Sequence, residues 1–216
     1  MIGVFSISPL PGNCLLEKTF PKQNNIELNI LYNNTSIGLS KYYNSIIENV
    51  DNDKYEAVIC CHHDVCLRFA NLTTAVKDSL INYDVVGVAG GIQPKIVDKN
   101  LWHWMMGSSE YRGIAAHGDN FENMFVTSFG PTPSEVKVLD GVFLMFKTKK
   151  IRESGTRFDE MFLWHHYDID FSLTCVRNKL KLGVWPILIY HQSPGLRDLN
   201  DSKWVKSNDY FKLKWK

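Results

Sequence analysis

No stretch of this chain approaches the roughly 20 consecutive apolar residues that a membrane-spanning helix needs, so no membrane span is expected. The opening MIGVFSISPLPG lacks a positively charged leader and its apolar run is too short for a signal peptide, so the expectation is a soluble, cytoplasmic protein. Charge of one sign is scarce as well. Lys and Arg number 24 against 23 Asp and Glu, a net +1. Without a dominant basic tract, nucleic acid is not the expected partner. Cysteine is limited to five residues, an odd number with no CxxC pair, which fits a reducing compartment better than a disulfide framework. The patterns GxGxxG, GxxxxGK[ST] and GxSxG are all missing, which leaves dinucleotide, P-loop and serine-elbow chemistry unsupported.

What is present is an ordinary globular composition. The 216 residues, 44% hydrophobic and 22% charged, suit one medium domain with a substantial core. MIGVFSIS, IELNILYNN, YEAVICC and DVVGVAGG read as strands; SIGLSKYYNSIIENV, with Ser36 as cap, and NLTTAVKDSLINY read as helices. That alternation predicts an α/β fold with a mainly parallel, Rossmann-like central sheet flanked by helices. Ligands of such sheets bind beyond the carboxyl ends of the strands, where the chain places Ser8, Asn33, Asn34, His62, His63, Asp64, Gly90 and Gly91. Residues 92–135 lose periodicity and read as an irregular substrate loop or lid. A strand VKVLDGVFLMFK, a helix HYDIDFSLTCVRNKL and a strand LGVWPILIYHQSPG follow.

Three constellations could carry chemistry, and each has two readings. In CCHHDV, His62 and Asp64 can point the same way from a strand end, and His191 closes another apolar run. They either bond loop backbone or hold a divalent ion such as Mn²⁺, for which a mixed imidazole and carboxylate set is better suited than for structural zinc. In HHYDID, Asp168 and Asp170 open a helix. They either cap free amides or supply a general base in a closed cleft. Trp102, Trp104, Met105, Met106 and Tyr111 read as core or lid packing rather than a sugar platform. Gly141 after Asp140 marks a tight turn or a close backbone approach.

SIGLSKYYNSIIE, YEAVICCHHDV, DVVGVAGG, VLDGVFLMFK, RFDEMFLWHHYDIDFSLTCVRNKLKLGVWPILIYHQSPG and FKLKW, taken in that order, resemble the GT-A-fold glycosyltransferases. The likeness is to a family-2-like group carrying HxDV in place of DxD. Size and motif order are also similar to chlorella-virus enzymes that glycosylate capsid protein. The resemblance implies one GT-A domain, with residues 1–91 as nucleotide-binding half and 92–216 as acceptor-binding and catalytic half. It implies a nucleoside-diphosphate-sugar donor, UDP-sugar favoured, and an acceptor hydroxyl on a glycan or glycoprotein, with inversion. Asp64, His62 and His191 would bind Mn²⁺ or Mg²⁺. Asp168 would be the base and Asp170 the second acidic position. Ser8, Pro9, Asn33, Asn34, Asn44, His62, Gly90, Gly91, Asp140 and Gly141 would lie on the donor side, and Trp102, Trp164, His165 and His166 on the acceptor side. The alternative is a non-catalytic GT-A-like protein that binds sugars or a partner.

Overall fold

The computed structural model describes residues 1–21, 23–32, 37–67, 70–193 and 199–216. Strand β1 (Ile2–Ser8) leads through the short helix α1 (Leu15–Thr19) to β2 (Ile26–Tyr32), α2 (Leu39–Asn49), β3 (Ala57–Cys61) and β4 (Val65–Cys66). Helix α3 (Leu72–Asn82) precedes β5 (Val85–Gly87) and β6 (Ala89–Gly91). Next come β7 (Tyr111–His117), β8 (Phe125–Gly130), β9 (Ser134–Val136), β10 (Val138–Leu139) and β11 (Phe143–Phe146). Helices α4 (Thr148–Glu153) and α5 (Tyr167–Arg177), strands β12 (Leu182–Val184) and β13 (Tyr190–His191), and helix α6 (Ser202–Trp215) complete the order.

Two sheets result. The larger runs β2-β1-β3-β11-β5-β12-β9, and the smaller runs β10-β6-β7-β13-β4 with β8 on the other edge of β7. Every residue of β3 is buried, which is what the continuous apolar run AVICC requires of a strand covered on both faces. The expected parallel pairing holds for β2-β1-β3 and for β5-β12. Between them β11 runs antiparallel to both neighbours, and β9 is antiparallel to β12, so the sheet is mixed.

Three stretches that read as single strands are divided between the sheets; one of them, residues 182–191, supplies β12 to the larger sheet and β13 to the smaller. Residues 84–91 become β5 and β6 on either side of Val88, whose carbonyl accepts the Ile114 amide at 2.9 Å. A Cβ at Gly90 would strike the Val138 carbonyl, so only glycine admits the crossing. Residues 136–147 likewise supply the end of β9, then β10, a turn at 140–142, and β11. The stretch 92–135, expected to be irregular, contains the β7–β8 hairpin. Its pattern is hidden by Gly113 at φ 108° and a register shift between Gly113 and Ile114, a bulge that breaks alternation.

The C-terminal helix α6, capped by Asp201 through the Lys203 amide at 3.0 Å, buries Trp204 and Phe211. No described helix is long and apolar enough to cross a membrane. All five cysteines are buried and free.

Asn44 and Asp170 serve the scaffold. Asn44 donates to the Phe158 carbonyl at 2.9 Å and to Glu160 Oε1 at 3.1 Å, and accepts the Phe158 amide at 2.9 Å. With Ser40 bonding the Phe162 carbonyl and Leu39 the Leu163 carbonyl, α2 straps down the segment that leads into α5. The strap thus occupies the amide of Asn44, the residue expected on the donor side. Asn44→Ala is expected to lower stability by roughly 2–3 kcal/mol, since it strands buried polar groups. Urea denaturation checks this, and nucleotide affinity should not change. Asp170 is fully buried, and its Oδ1 meets both Lys214 Nζ and Trp215 Nε1 at 2.8 Å. Two residues along a helix is about 200° of rotation, so Asp170 faces α6 while Asp168 faces the rim. The second acidic position, expected on the catalytic side, is bonded to α6 in this structure.

Candidate active site

The turn after β3 is held by three separate segments. The His62 amide donates to the Val142 carbonyl at 3.1 Å, the Leu16 amide to the His63 carbonyl at 3.0 Å, and the Gln192 amide to the Asp64 carbonyl at 2.9 Å. Antiparallel pairing of β4 with β13 sets His191 opposite Val65, which brings residues 64 and 191 together across the fold. One ligand atom each from His62, Asp64 and His191 lies within 4.8 Å of the others. Asp64 Oδ1 is 3.3 Å from His191 Nε2 and 3.9 Å from His62 Nδ1. That oxygen is out of contact with solvent and accepts no well-directed hydrogen bond.

The second half of the site comes from the turn between β10 and β11 and from the start of α5. Tyr167 Oη donates to the Gly141 carbonyl at 3.1 Å and lies 2.7 Å from His62 Nε2. A hydroxyl has one proton. Once it goes to Gly141, His62 must carry its own proton on Nε2, which leaves the Nδ1 lone pair on the side of Asp64. The Gly141 amide in turn donates to Asp168 Oδ2 at 3.0 Å. A Cβ on Gly141 would collide with the Tyr167 hydroxyl and the Asp168 side chain, so the close approach requires glycine. Asp140 Oδ2 accepts Trp102 Nε1 at 2.8 Å, and its Oδ1 accepts the Val142 amide at 2.9 Å.

Electrostatics divide the groups by task. Burial pushes His62 down to about 4 despite Asp64 beside it, so its imidazole is neutral at pH 7 and free to act as a ligand. Burial acts the same way on His191, but Asp64 and Asp140 outweigh it and the net shift is upward. For Asp64, burial is outweighed by the three neighbouring imidazoles, and its carboxyl is held below the ordinary range. Asp168 goes the other way. Burial first, then the charge of Asp140, raises it to about 7 against the stabilising amides of Gly141 and Ile169.

The structure therefore brings His62, Asp64, His191, Asp140, Gly141 and Asp168 together and leaves other candidates apart. Ser8 is buried at the carboxyl end of β1, its Oγ bonding the Leu10 carbonyl at 3.2 Å, while Pro9 is exposed. Asn33, Asn34 and Ser36 lie outside the described residues. Gly90 and Gly91, expected on the donor side, are buried in β6 and paired on both sides. Trp102 is 6% exposed and holds Asp140, so it is no open acceptor platform. His166, expected on the acceptor side, has its Nδ1 2.8 Å from Ser207 Oγ and its ring packed on Trp204 and Phe211. Trp164 is exposed and His165 half-buried, both on the segment before α5. Tyr167 and His117 were missed. Tyr167 was signalled only by its place beside Asp168, and His117 only by ending a run before Gly118.

No family model and no curated protein matches the chain. Among solved structures, S. aureus TarS aligns at 14% identity with a TM-score of 0.52, over 89% of this chain and 36% of its own. TarS 1–349 aligns at 13% identity with a TM-score of 0.52, over 89% of this chain and 60% of its own. The fold is GT-A. The same 1–349 portion in complex with UDP gives 0.51 at 12% identity, over 88% of this chain and 59% of that one. This chain thus spans less than two thirds of either form of TarS. A197 from STIV aligns over 94% of this chain and 100% of its own at 15% identity, with a TM-score of 0.47.

Proposed function

We propose that the chain is a metal-assisted glycosyltransferase that moves a sugar from a nucleoside-diphosphate donor, UDP-sugar favoured, to a hydroxyl of a glycan or glycoprotein, with inversion. The observation that carries this reading is one continuous network. It links a three-residue ligand set to a carboxylate whose affinity for protons is raised to near neutrality: His62 to Tyr167, Tyr167 to Gly141, Gly141 to Asp168. The GT-A fold and the UDP bound by TarS point the same way.

The residues fit an ion, since a buried carboxylate oxygen without a directed hydrogen bond sits between two imidazole nitrogens. His62, Asp64 and His191 would hold Mn²⁺ in preference to Mg²⁺, which favours an octahedron of oxygens. When bound, the ion offsets the charge that gathers on the departing diphosphate. Asp168 takes the proton of the acceptor hydroxyl, a role its raised proton affinity suits near neutral pH. The Gly141 amide fixes the carboxylate's orientation, and Trp102 holds Asp140 in place.

Calorimetric titration of UDP and UDP-sugars with and without Mn²⁺ tests the proposal. The expected result is tighter binding with Mn²⁺ than with Mg²⁺, and weakest binding with a chelator. No binding of any nucleotide in any of these conditions would sink it.

A further inference from the structure

His117 ends β7 and stands in register with His191 on the parallel strand β13. Residues in register on neighbouring strands project to the same face, and the two rings lie 6.3 Å apart between centroids. Phe125 and Phe129 flank the His117 ring at 6.0 and 5.9 Å. The residue is half-buried, and no described group bonds its ring nitrogens. Phenylalanine would pack between these neighbours without drawing an N–H out of water. What imidazole adds at this position is a hydrogen-bond donor.

The surroundings narrow the choice of acceptor for that donor. His117 is outside the ligand set of His62, Asp64 and His191, so it stands one step beyond the ion position. Among the described residues, the polar partners of Asp64, Asp140 and Asp168 are imidazoles, an indole and backbone amides, with no lysine or arginine. An anion held here needs donors besides the ion, and among the described residues beside His191 the ring of His117 is one. An ion held by that set would draw a donor's phosphates to it, and a ring donor beside His191 would then be placed for their oxygens.

We propose that His117 donates a hydrogen bond to the donor's diphosphate beside the ion, an assignment that rests on the glycosyltransferase reading. The probes are Mn²⁺ alone and inorganic pyrophosphate with Mn²⁺, titrated calorimetrically into the full chain and into His117→Phe and His117→Gln. The Phe variant keeps the ring packing and should bind Mn²⁺ as the wild type does, while losing about tenfold or more in pyrophosphate affinity. The Gln variant keeps a donor and should retain most of that affinity. Equal pyrophosphate binding by wild type and Phe variant overturns the assignment. So does an equal loss in both variants, which would point to packing, or a loss of Mn²⁺ binding, which would make His117 a metal ligand. If the wild type binds UDP but no pyrophosphate with Mn²⁺, the assignment fails alone; if it binds neither, the glycosyltransferase reading fails with it, so the two failures are distinguishable.

Discussion

Asp168→Asn is expected to reduce sugar transfer by about 10²–10⁴-fold, the contribution of a positioned general base, while leaving the Mn²⁺-dependent affinity for UDP intact. The amide is nearly isosteric and its oxygen can still accept the Gly141 N–H, so the turn that carries Asp140 should not move. Transfer and donor binding measured side by side decide the matter. Undiminished transfer would remove Asp168 as the base. In the wild type the rate should rise with pH through about 7, where Asp168 loses its proton, and level off above.

The same carboxyl leaves a mark on stability. Its folded value of about 7 lies above the ordinary 3.8, so the fold favours the protonated form. That stabilisation is complete below the unfolded value and is lost as pH rises through the folded one. Between pH 4 and 8 the wild type should therefore lose stability relative to the Asn variant. Urea midpoints of both proteins across that range, with chelator present, would show it. A variant that is less active but more stable at high pH is the trade expected of a strained functional carboxylate.

Asp64→Ala should abolish measurable Mn²⁺ binding and bring UDP affinity in Mn²⁺ down to its chelator level. Loss of a partner one shell out from a metal costs 10–100-fold, so removing a ligand should cost at least about a hundredfold in metal affinity. Asp64 is the only carboxylate of the ligand set. The imidazoles of His62 and His191 carry no negative charge, and nothing else in the set can take its place. Mn²⁺ titration of wild type and variant is the measurement; wild-type UDP titrations that coincide with and without metal would remove the ion from the reaction.

Much of this site was legible in the sequence, because strand-end chemistry is local. A buried strand such as AVICC must stop where polar residues begin, so His62 and Asp64 had to fall at a sheet rim. The same logic placed His191 after PILIY and Asp168 at a helix start. The scaffold bonds of Asn44 and Asp170 were not legible, because their partners are far off in the chain: Asn44 bonds Phe158, 114 residues away, and Asp170 bonds Trp215, 45 residues away. The hairpin carrying His117 was hidden by a bulge that breaks the period on which strand detection depends.

By itself the sequence determined the α/β order, the strand ends, and which residue types could act there. Those follow from periodicity and burial, which each segment carries within itself. Only the tertiary structure decided which of those residues meet. Pairing of β4 with β13 set His191 beside Asp64, and the absence of a Cβ at Gly141 let Tyr167 and Asp168 close on the same turn. Such meetings depend on register and on contact between segments remote in the chain, and no local pattern records them.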